Sequence, residues 1–207
     1  MITNPPYSLL REFMLMLLEM KKEFLILGSL SLCSLKEIAQ YLIRGEIKTG
    51  YNTNKTLYFI VPDSYKYDRV DKDGNKLALG PAISWWHNLP LDHNRKWLRT
   101  GVKYDPLLHP AYTNYPSIIH CPTCSLIPDD YNGEMSAPYT FISKINLNQY
   151  EIVGLLGSYD KEDRDKGIIC GERVPSISKS GKVTFRRGAV LGERALFTRL
   201  VIKRKKL

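Results

Sequence analysis

The stretch "SLLREFMLMLLEMKKEFLILGSLSLCSLKEIAQYLIRG", residues 8–45, holds the reading on which the fold class turns. Leu9, Leu10, Phe13, Leu17 and Met20 recur at near-helical spacing, and Ser8 stands where an N-cap belongs, so a helix is expected over 8–20. "FLILGSL", 24–30, is a continuous apolar run without alternation, which is what a parallel strand covered on both faces needs. A second helix is expected over 34–45, with Ser34 and Glu37 as a capping box and Gly45 as its stop. Helix, strand and helix in that order open an alternating α/β pattern.

Beyond residue 50 the pattern changes to short strands and turns. "TLYFIV" (56–61) reads as a strand closed by Pro62, "DKDGNK" (71–76) as an Asp-Gly turn, and "AISWWHNL" (82–89) as an aromatic strand. From Pro90 to about Asp130, prolines, tyrosines and histidines follow without periodicity, and a loop is expected. "PYTFISKI" (138–145) reads as a strand, and Asn146 to about Leu155 as a helix capped by Asn146 and Gln149. A polar, glycine-containing stretch leads to a last strand within 195–206, ending in the basic "KRKK" of 203–206. There is no internal repeat.

The chain has 207 residues, of which 43% are hydrophobic, enough for a packed core. Thirty Lys and Arg against 21 Asp and Glu give a formal charge of +9, which favours an anionic partner such as nucleic acid. The apolar run 13–18 follows an acidic residue and lacks a cleavage pattern, so it is no secretory signal. No stretch has the length of a membrane span, and a cytoplasmic protein is expected. Four cysteines are too few and too unevenly spaced for a disulfide framework.

Upstream of the first helix stands "NPPY", Asn4-Pro5-Pro6-Tyr7, at the end of a short strand. Ligands of open α/β sheets bind at the carboxyl ends of strands. Two consecutive prolines remove two backbone donors and fix φ, giving a rigid corner. The Asn4 side-chain oxygen and the Pro5 carbonyl can each accept a hydrogen bond from an exocyclic amine, while the Tyr7 ring offers a stacking face. A strand-to-helix turn built from common turn residues is the competing reading.

The surroundings separate the two. "TNPPYSLLREF", "KKEFLILGSL", "KEI" with "GEIKTGY", "FIVPDSY", "DGN", "WWHNL", "YTNYPSI", "IPDDYNGEMSAPYTFI" and "RLVIKRKK" occur in an order that resembles the EcoRI-type adenine-specific DNA methyltransferases, within the amino-methyltransferase superfamily. The likeness covers most of the chain, more patchily over 90–112 and 156–194. It implies a partial Rossmann-like methyltransferase sheet with a strand- and loop-rich target-recognition insertion. Residues 1–62 would belong to the catalytic core, 63–137 to a loop-rich DNA-recognition region, and 138–207 to a continuation of the catalytic sheet with a basic C-terminal strand.

The implied activity is methyl transfer from S-adenosylmethionine to the exocyclic amine of an adenine swung out of double-stranded DNA. Asn4, Pro5, Pro6 and Tyr7 would orient that amine, and such positioning supplies roughly 7–11 kcal/mol of the barrier. Extruding a base costs a few kcal/mol, whereas one aromatic stack returns roughly 1–3, so other contacts are needed. Trp85, Trp86 and Asn88, the Tyr112 and Asn114 loop, and Tyr131 with Asn132 are the candidates. Of the two tryptophans, one is expected in the core and one over a loop, because neighbours on a strand face opposite ways.

In whole enzymes of this kind several strands precede the Asn-Pro-Pro corner and carry the cofactor loop. Only Met1, Ile2 and Thr3 precede it here, so a truncated or split form is expected, with a missing N-terminal chain or half and an exposed edge at residues 1–3. "GLLGSYD" (154–160) and "RGAVLGER" (187–194) are the nearest permuted cofactor loops, and neither has the right glycine spacing. The alternatives are a catalytically inactive DNA-binding remnant, or a methyltransferase acting on RNA or a protein glutamine.

"HCPTC" offers His120, Cys121 and Cys124, and Cys170 could complete a zinc set; structural zinc sites show two such knuckles and only one is visible, so no metal is expected. His87, His93 and His109 show no catalytic spacing and read as surface or loop residues.

Overall fold

β1 (Ile2–Thr3) runs parallel to β2 (Leu25–Ser29), with Ile2 opposite Leu25 and Thr3 opposite Ile26. Parallel neighbours need a crossover, and α1 (Leu10–Glu19) supplies it. The computed structural model describes residues 1–50, 58–80, 83–90, 95–177 and 181–205. The chain divides into two compact units: residues 1–32 with 49–89, and residues 33–48 with 90–207.

In the first unit, Leu10, Met14 and Leu17 of α1 are buried at helical spacing, while Leu9 and Met20 are exposed. Ser8 does not cap α1. A 3-10 turn over Tyr7–Leu9 leads into it, the Leu9 N–H bonds the Pro6 carbonyl at 3.0 Å, and Leu9 occupies the cap position without a side-chain bond. β3 (Lys48–Thr49), β4 (Tyr58–Ile60), β5 (Arg69–Val70), β6 (Lys76–Leu79) and β7 (Ile83–His87) follow. One sheet has the order β1-β2-β7-β3, and β4-β6-β5 form another.

β2 is not the doubly covered parallel strand that its composition suggests. Its second neighbour, β7, is antiparallel, and burial alternates along it, with Ile26 and Gly28 buried and Leu25, Leu27 and Ser29 half-buried. At Gly28 a Cβ would lie 2.8 Å from Leu10 Cδ2 and 3.4 Å from Trp86 Cδ1, so the missing side chain lets the start of α1 and Trp86 close over the strand. The Asp-Gly turn forms as expected. Asp71 Oδ1 accepts from the N–H groups of Asp73 and Asn75, and Gly74 takes φ +83° between β5 and β6.

In the second unit α2 (Lys36–Ile43) buries Ile38, Ala39 and Leu42 and stops before Gly45 at φ +67°. The expected capping box is absent: Ser34 ends a 3-10 turn, Leu35 is the cap, and no side chain bonds there. Next come β8 (Ala111–Tyr112), β9 (Tyr115–His120), β10 (Glu134–Pro138), β11 (Tyr150–Leu156), β12 (Ile168–Ile169), β13 (Val174–Ile177), β14 (Val183–Arg186), β15 (Val190–Leu191), β16 (Arg194–Ala195) and β17 (Arg199–Arg204). The larger sheet has the order β12-β11-β17-β10-β9-β8, and the smaller β14-β13-β16-β15. β17 lies antiparallel to both β10 and β11, and its Leu200, Val201 and Ile202 are fully buried.

The segment 90–130 contains β8 and β9 rather than loop alone, 139–143 is a 3-10 turn rather than a strand, and 150–156 is the strand β11 rather than a helix. The expected last strand is β17. The fold is mixed α/β with several sheets and, among the described residues, two α-helices. No helix among them is long and apolar enough to cross a membrane.

Candidate active site

The Asn4-Pro5-Pro6-Tyr7 corner stands at the carboxyl end of β1 because the sequence stops the strand there. Neither proline has an N–H to continue a ladder, and Pro6 sits at φ −56°, ψ 129°, outside the helical region. Pro5 is buried and anchors the corner, whereas Asn4 and Tyr7 are exposed, Tyr7 to 49%. The Pro6 carbonyl is taken by the Leu9 N–H. Among the described residues the Asn4 side chain and the Pro5 carbonyl make no hydrogen bond. The corner therefore presents hydrogen-bond acceptors of an amide and a peptide, with an aromatic ring at Tyr7.

At the carboxyl end of the neighbouring parallel strand, Ser29 Oγ and Ser31 Oγ lie 2.7 Å apart, and the Trp86 indole N–H donates to the Ser29 carbonyl at 3.3 Å. This pair of hydroxyls shares the sheet edge with the corner. Sequence reasoning passed over it; its signal was the polar "SLS" that interrupts an apolar run just where β2 ends.

The proposed base-contacting residues fall into both units. Trp86 is fully buried and Trp85 is 39% exposed on the opposite face of β7. Asn88 spends its whole amide on the entry to β2, its Oδ1 accepting from Phe24 N–H at 2.8 Å and its Nδ2 donating to the Lys22 carbonyl at 2.9 Å. In the second unit Tyr112 is buried, its hydroxyl bonded to His120 Nδ1 at 2.8 Å and to Ser136 Oγ. Asn114 Nδ2 donates to the Glu172 and Gly188 carbonyls, and its Oδ1 accepts from the Val190 N–H at 3.3 Å, so it ties β8 to β15. Trp86 and Tyr112 are thus held in the core, whereas Asn88 is half-buried and Asn114 lines a cleft of about 660 Å³ while their amides bond the main chain. Tyr131 packs on Tyr104 with ring centroids 4.7 Å apart, and Asn132 is exposed.

His87 and His109 are buried rather than on the surface, and His93 lies outside the described residues. His109 Nε2 donates to the Leu126 carbonyl at 2.7 Å, fixing the loop that enters β8. His120 is buried beside the Arg199 guanidinium, and burial first, then that charge, brings its pKa down to about 4. Burial pushes the Cys121 thiol up to about 12 and raises Cys124 as well. Among the described residues no group of three His, Cys, Asp or Glu is arranged to hold a metal ion.

The glycines that might have cradled a cofactor serve close backbone packing instead. Gly154 lies within β11 at a register shift, where a Cβ would come 2.6 Å from the Gly167 carbonyl oxygen. Gly188 presses on Ser158, and Gly192 marks the β15–β16 turn at φ +59°. Neither stretch is a strand–loop–helix turn, so neither fits the phosphate- or cofactor-cradling loop that its glycines suggest.

Comparison with known proteins adds the lineage. A family model described as "Adenine-specific methyltransferase EcoRI" matches residues 1–205. The chain is 32% identical over 169 residues to the type II methyltransferase M.EcoRI of Escherichia coli, covering 78% of this chain and 52% of that protein. It is 32% identical over 165 residues to the type II methyltransferase M.MpnI of Mycoplasma pneumoniae, covering 76% and 51%. M.MgeORF184P of Mycoplasma genitalium is likewise 32% identical over 165 residues, covering 76% and 52%. The chain thus spans about half the length of the curated relatives it matches. No solved structure matches it significantly.

Proposed function

The chain belongs to the EcoRI-type adenine-specific methyltransferase family, and from that premise we propose that it carries the base-orienting part of an adenine-specific DNA methyltransferase. One observation carries the reading: Asn4 stands exposed at the carboxyl end of β1 with its amide unengaged by any described residue, on a corner locked by Pro5 and Pro6.

The residues' roles follow from their chemistry. Asn4 Oδ1 and the Pro5 carbonyl accept the two N–H groups of an adenine amine, which turns its lone pair out of conjugation with the ring. The prolines keep this geometry at no entropic cost at the moment of binding, because their φ angles are already fixed. Tyr7 covers one face of the extruded base, returning roughly 1–3 kcal/mol of the unstacking cost. The methyl donor, S-adenosylmethionine, supplies the electrophilic methyl when bound. The donor site is proposed to lie in the part of the family's length that this sequence does not span.

The misfit of both glycine stretches motivates a second reading, a DNA-binding remnant without activity. The two separate in one experiment. Unmethylated bacterial DNA is incubated with labelled S-adenosylmethionine and the chain, alone or with the N-terminal half of M.EcoRI added as a separate polypeptide. N6-methyladenine by mass spectrometry in either arm supports the proposal; none in either, with DNA binding retained, selects the remnant.

A further inference from the structure

We propose that the small sheet β13–β16 and the pocket beside it form a docking site for the phosphate backbone of duplex DNA, with Arg186 and Arg194 as the phosphate-holding pair and Phe197 against the adjoining sugar. The proposal rests on the reading of this chain as DNA-directed, and it places a contact in a region that the sequence presents only as polar and rich in glycine.

Charge is the first observation. Residues 172–199 hold seven basic side chains, Arg173, Lys179, Lys182, Arg186, Arg187, Arg194 and Arg199, against Glu172 and Glu193. More than half of the chain's net charge of +9 therefore falls in about one seventh of its length. Such concentration raises the local potential and attracts a polyanion far more than the same charge spread evenly.

Strand register is the second. In the β13–β14 hairpin Val174 pairs with Arg186 and Ser176 with Thr184, so Arg186, Thr184 and Ser176 share one face. That face lines a pocket of about 330 Å³ whose wall also includes Ser158, Arg194 and Phe197. The next residue, Arg187, lines a separate cleft of about 660 Å³ instead. Two guanidinium forks with neighbouring hydroxyl donors are the chemistry that recognises a phosphodiester.

The state of these side chains is the third. Arg44, Arg164 and Arg204 are each held by a carboxylate, Arg204 at 3.3 Å from Asp129 and Arg164 at 2.7 Å from Glu134. Arg186 and Arg194 are exposed and make no ion pair among the described residues; the one side-chain bond of Arg186 is a long 3.4 Å to Thr184 Oγ1. Phe197, at the pocket, is 89% exposed. A free inorganic anion would fill the cationic pocket and leave that ring in water. A nucleic-acid strand satisfies both, phosphate on the arginines and sugar or base on the ring.

The test is fluorescence anisotropy of a labelled mixed-sequence duplex of about 20 base pairs with the full chain, titrated at several KCl concentrations. The double variant R186A/R194A is expected to bind at least about tenfold more weakly at low salt, with the slope of log K against log salt reduced by about 2, close to 0.9 per lost phosphate contact. Phe197→Ser is expected to weaken binding at least about fivefold without changing the slope. Lys144→Ala, an exposed charge that follows the 3-10 turn 139–143, is expected to leave both unchanged. Binding by the wild type with unaltered slope and affinity in R186A/R194A overturns this site and leaves the DNA-directed reading standing. An equal loss in Lys144→Ala also overturns it, as a mere effect of net charge. No duplex binding by the wild type removes the DNA-directed reading itself and the site with it. Should the double variant fail to fold by circular dichroism, Phe197→Ser decides alone, since a ring so exposed contributes little to the core.

Discussion

At the scale of single residues the proposed chemistry depends on Asn4, and its exposure makes the test clean. Replacing it with alanine removes an acceptor without opening a cavity, so Asn4→Ala is expected to lower N6-methyladenine formation by at least about 100-fold, comparable to losing one preorganised polar contact in an active site. The thermal midpoint should stay within about a degree, and Asn4→Asp, which keeps an acceptor oxygen, should retain part of the rate. Tyr7→Phe should be near neutral and Tyr7→Ala should raise the KM for DNA about tenfold, because the ring's face rather than its hydroxyl is the contact. The corner was legible because its chemistry sits in four adjacent residues. Trp86, Asn88, Tyr112 and Asn114 are less legible for the opposite reason: residue type suggests a base contact, but what each side chain touches depends on chain segments up to 76 residues away. His120 shows the same dependence in its titration. Its folded pKa of about 4 lies below the ordinary histidine value of 6.5, so the unfolded chain binds the extra proton first as pH falls. Stability from keeping His120 neutral is intact above about pH 6.5 and is lost as pH drops toward 4, by on the order of 3 kcal/mol. Urea unfolding at pH 7 and pH 4.5 should show a smaller acid loss in His120→Asn than in the wild type; equal losses would remove His120 as the cause.

Among the elements, α1 and β2 were readable because a helical stripe and an apolar run are local signals, and their exact setting was not, because it depends on Gly28. A methyl group there meets a buried leucine end, so Gly28→Ala is expected to cost about 1–3 kcal/mol through displacement of Leu10, and Leu10→Ala combined with it should restore part of that loss. Additive losses in chemical denaturation would show that the two positions do not press on each other. The reversed assignment of 138–156 has an equally specific origin. Asn146 and Gln149 have capping-box spacing, but Asn146 Nδ2 bonds the Arg95 carbonyl, and Gln149 accepts from Leu98 N–H at 2.8 Å and donates to Leu98 C=O at 2.7 Å. Both side chains are buried in tertiary bonds that imitate a strand partner, and the backbone after them extends into β11. The strands β8 and β9 were hidden for a related reason. β9 lies parallel to β10, a pairing made after residues 121–133 intervene, and its burial runs exposed to buried along its length instead of alternating.

For the molecule as a whole, the division into two compact units makes stability a quantity to be measured in two places. Leu10, Met14, Ile26 and Trp86 form part of the buried interior of the first unit, and Tyr150, Leu200, Val201 and Ile202 that of the second. Removing a buried methionine or truncating a buried valine costs a few kcal/mol because the remaining cavity does not fully collapse. The three tryptophans allow each loss to be assigned: Trp86 is buried in the first unit, and Trp97 is the one tryptophan of the second. In a W85F/W97F background, where Trp86 alone reports, Met14→Ala is expected to lower the urea midpoint of the fluorescence change. Val201→Ala should leave that midpoint nearly unmoved while shifting the far-ultraviolet circular dichroism transition, which the second unit's ten strands dominate. If both substitutions move both probes equally, the two cores unfold as one cooperative whole, and the division seen in the fold has no thermodynamic counterpart.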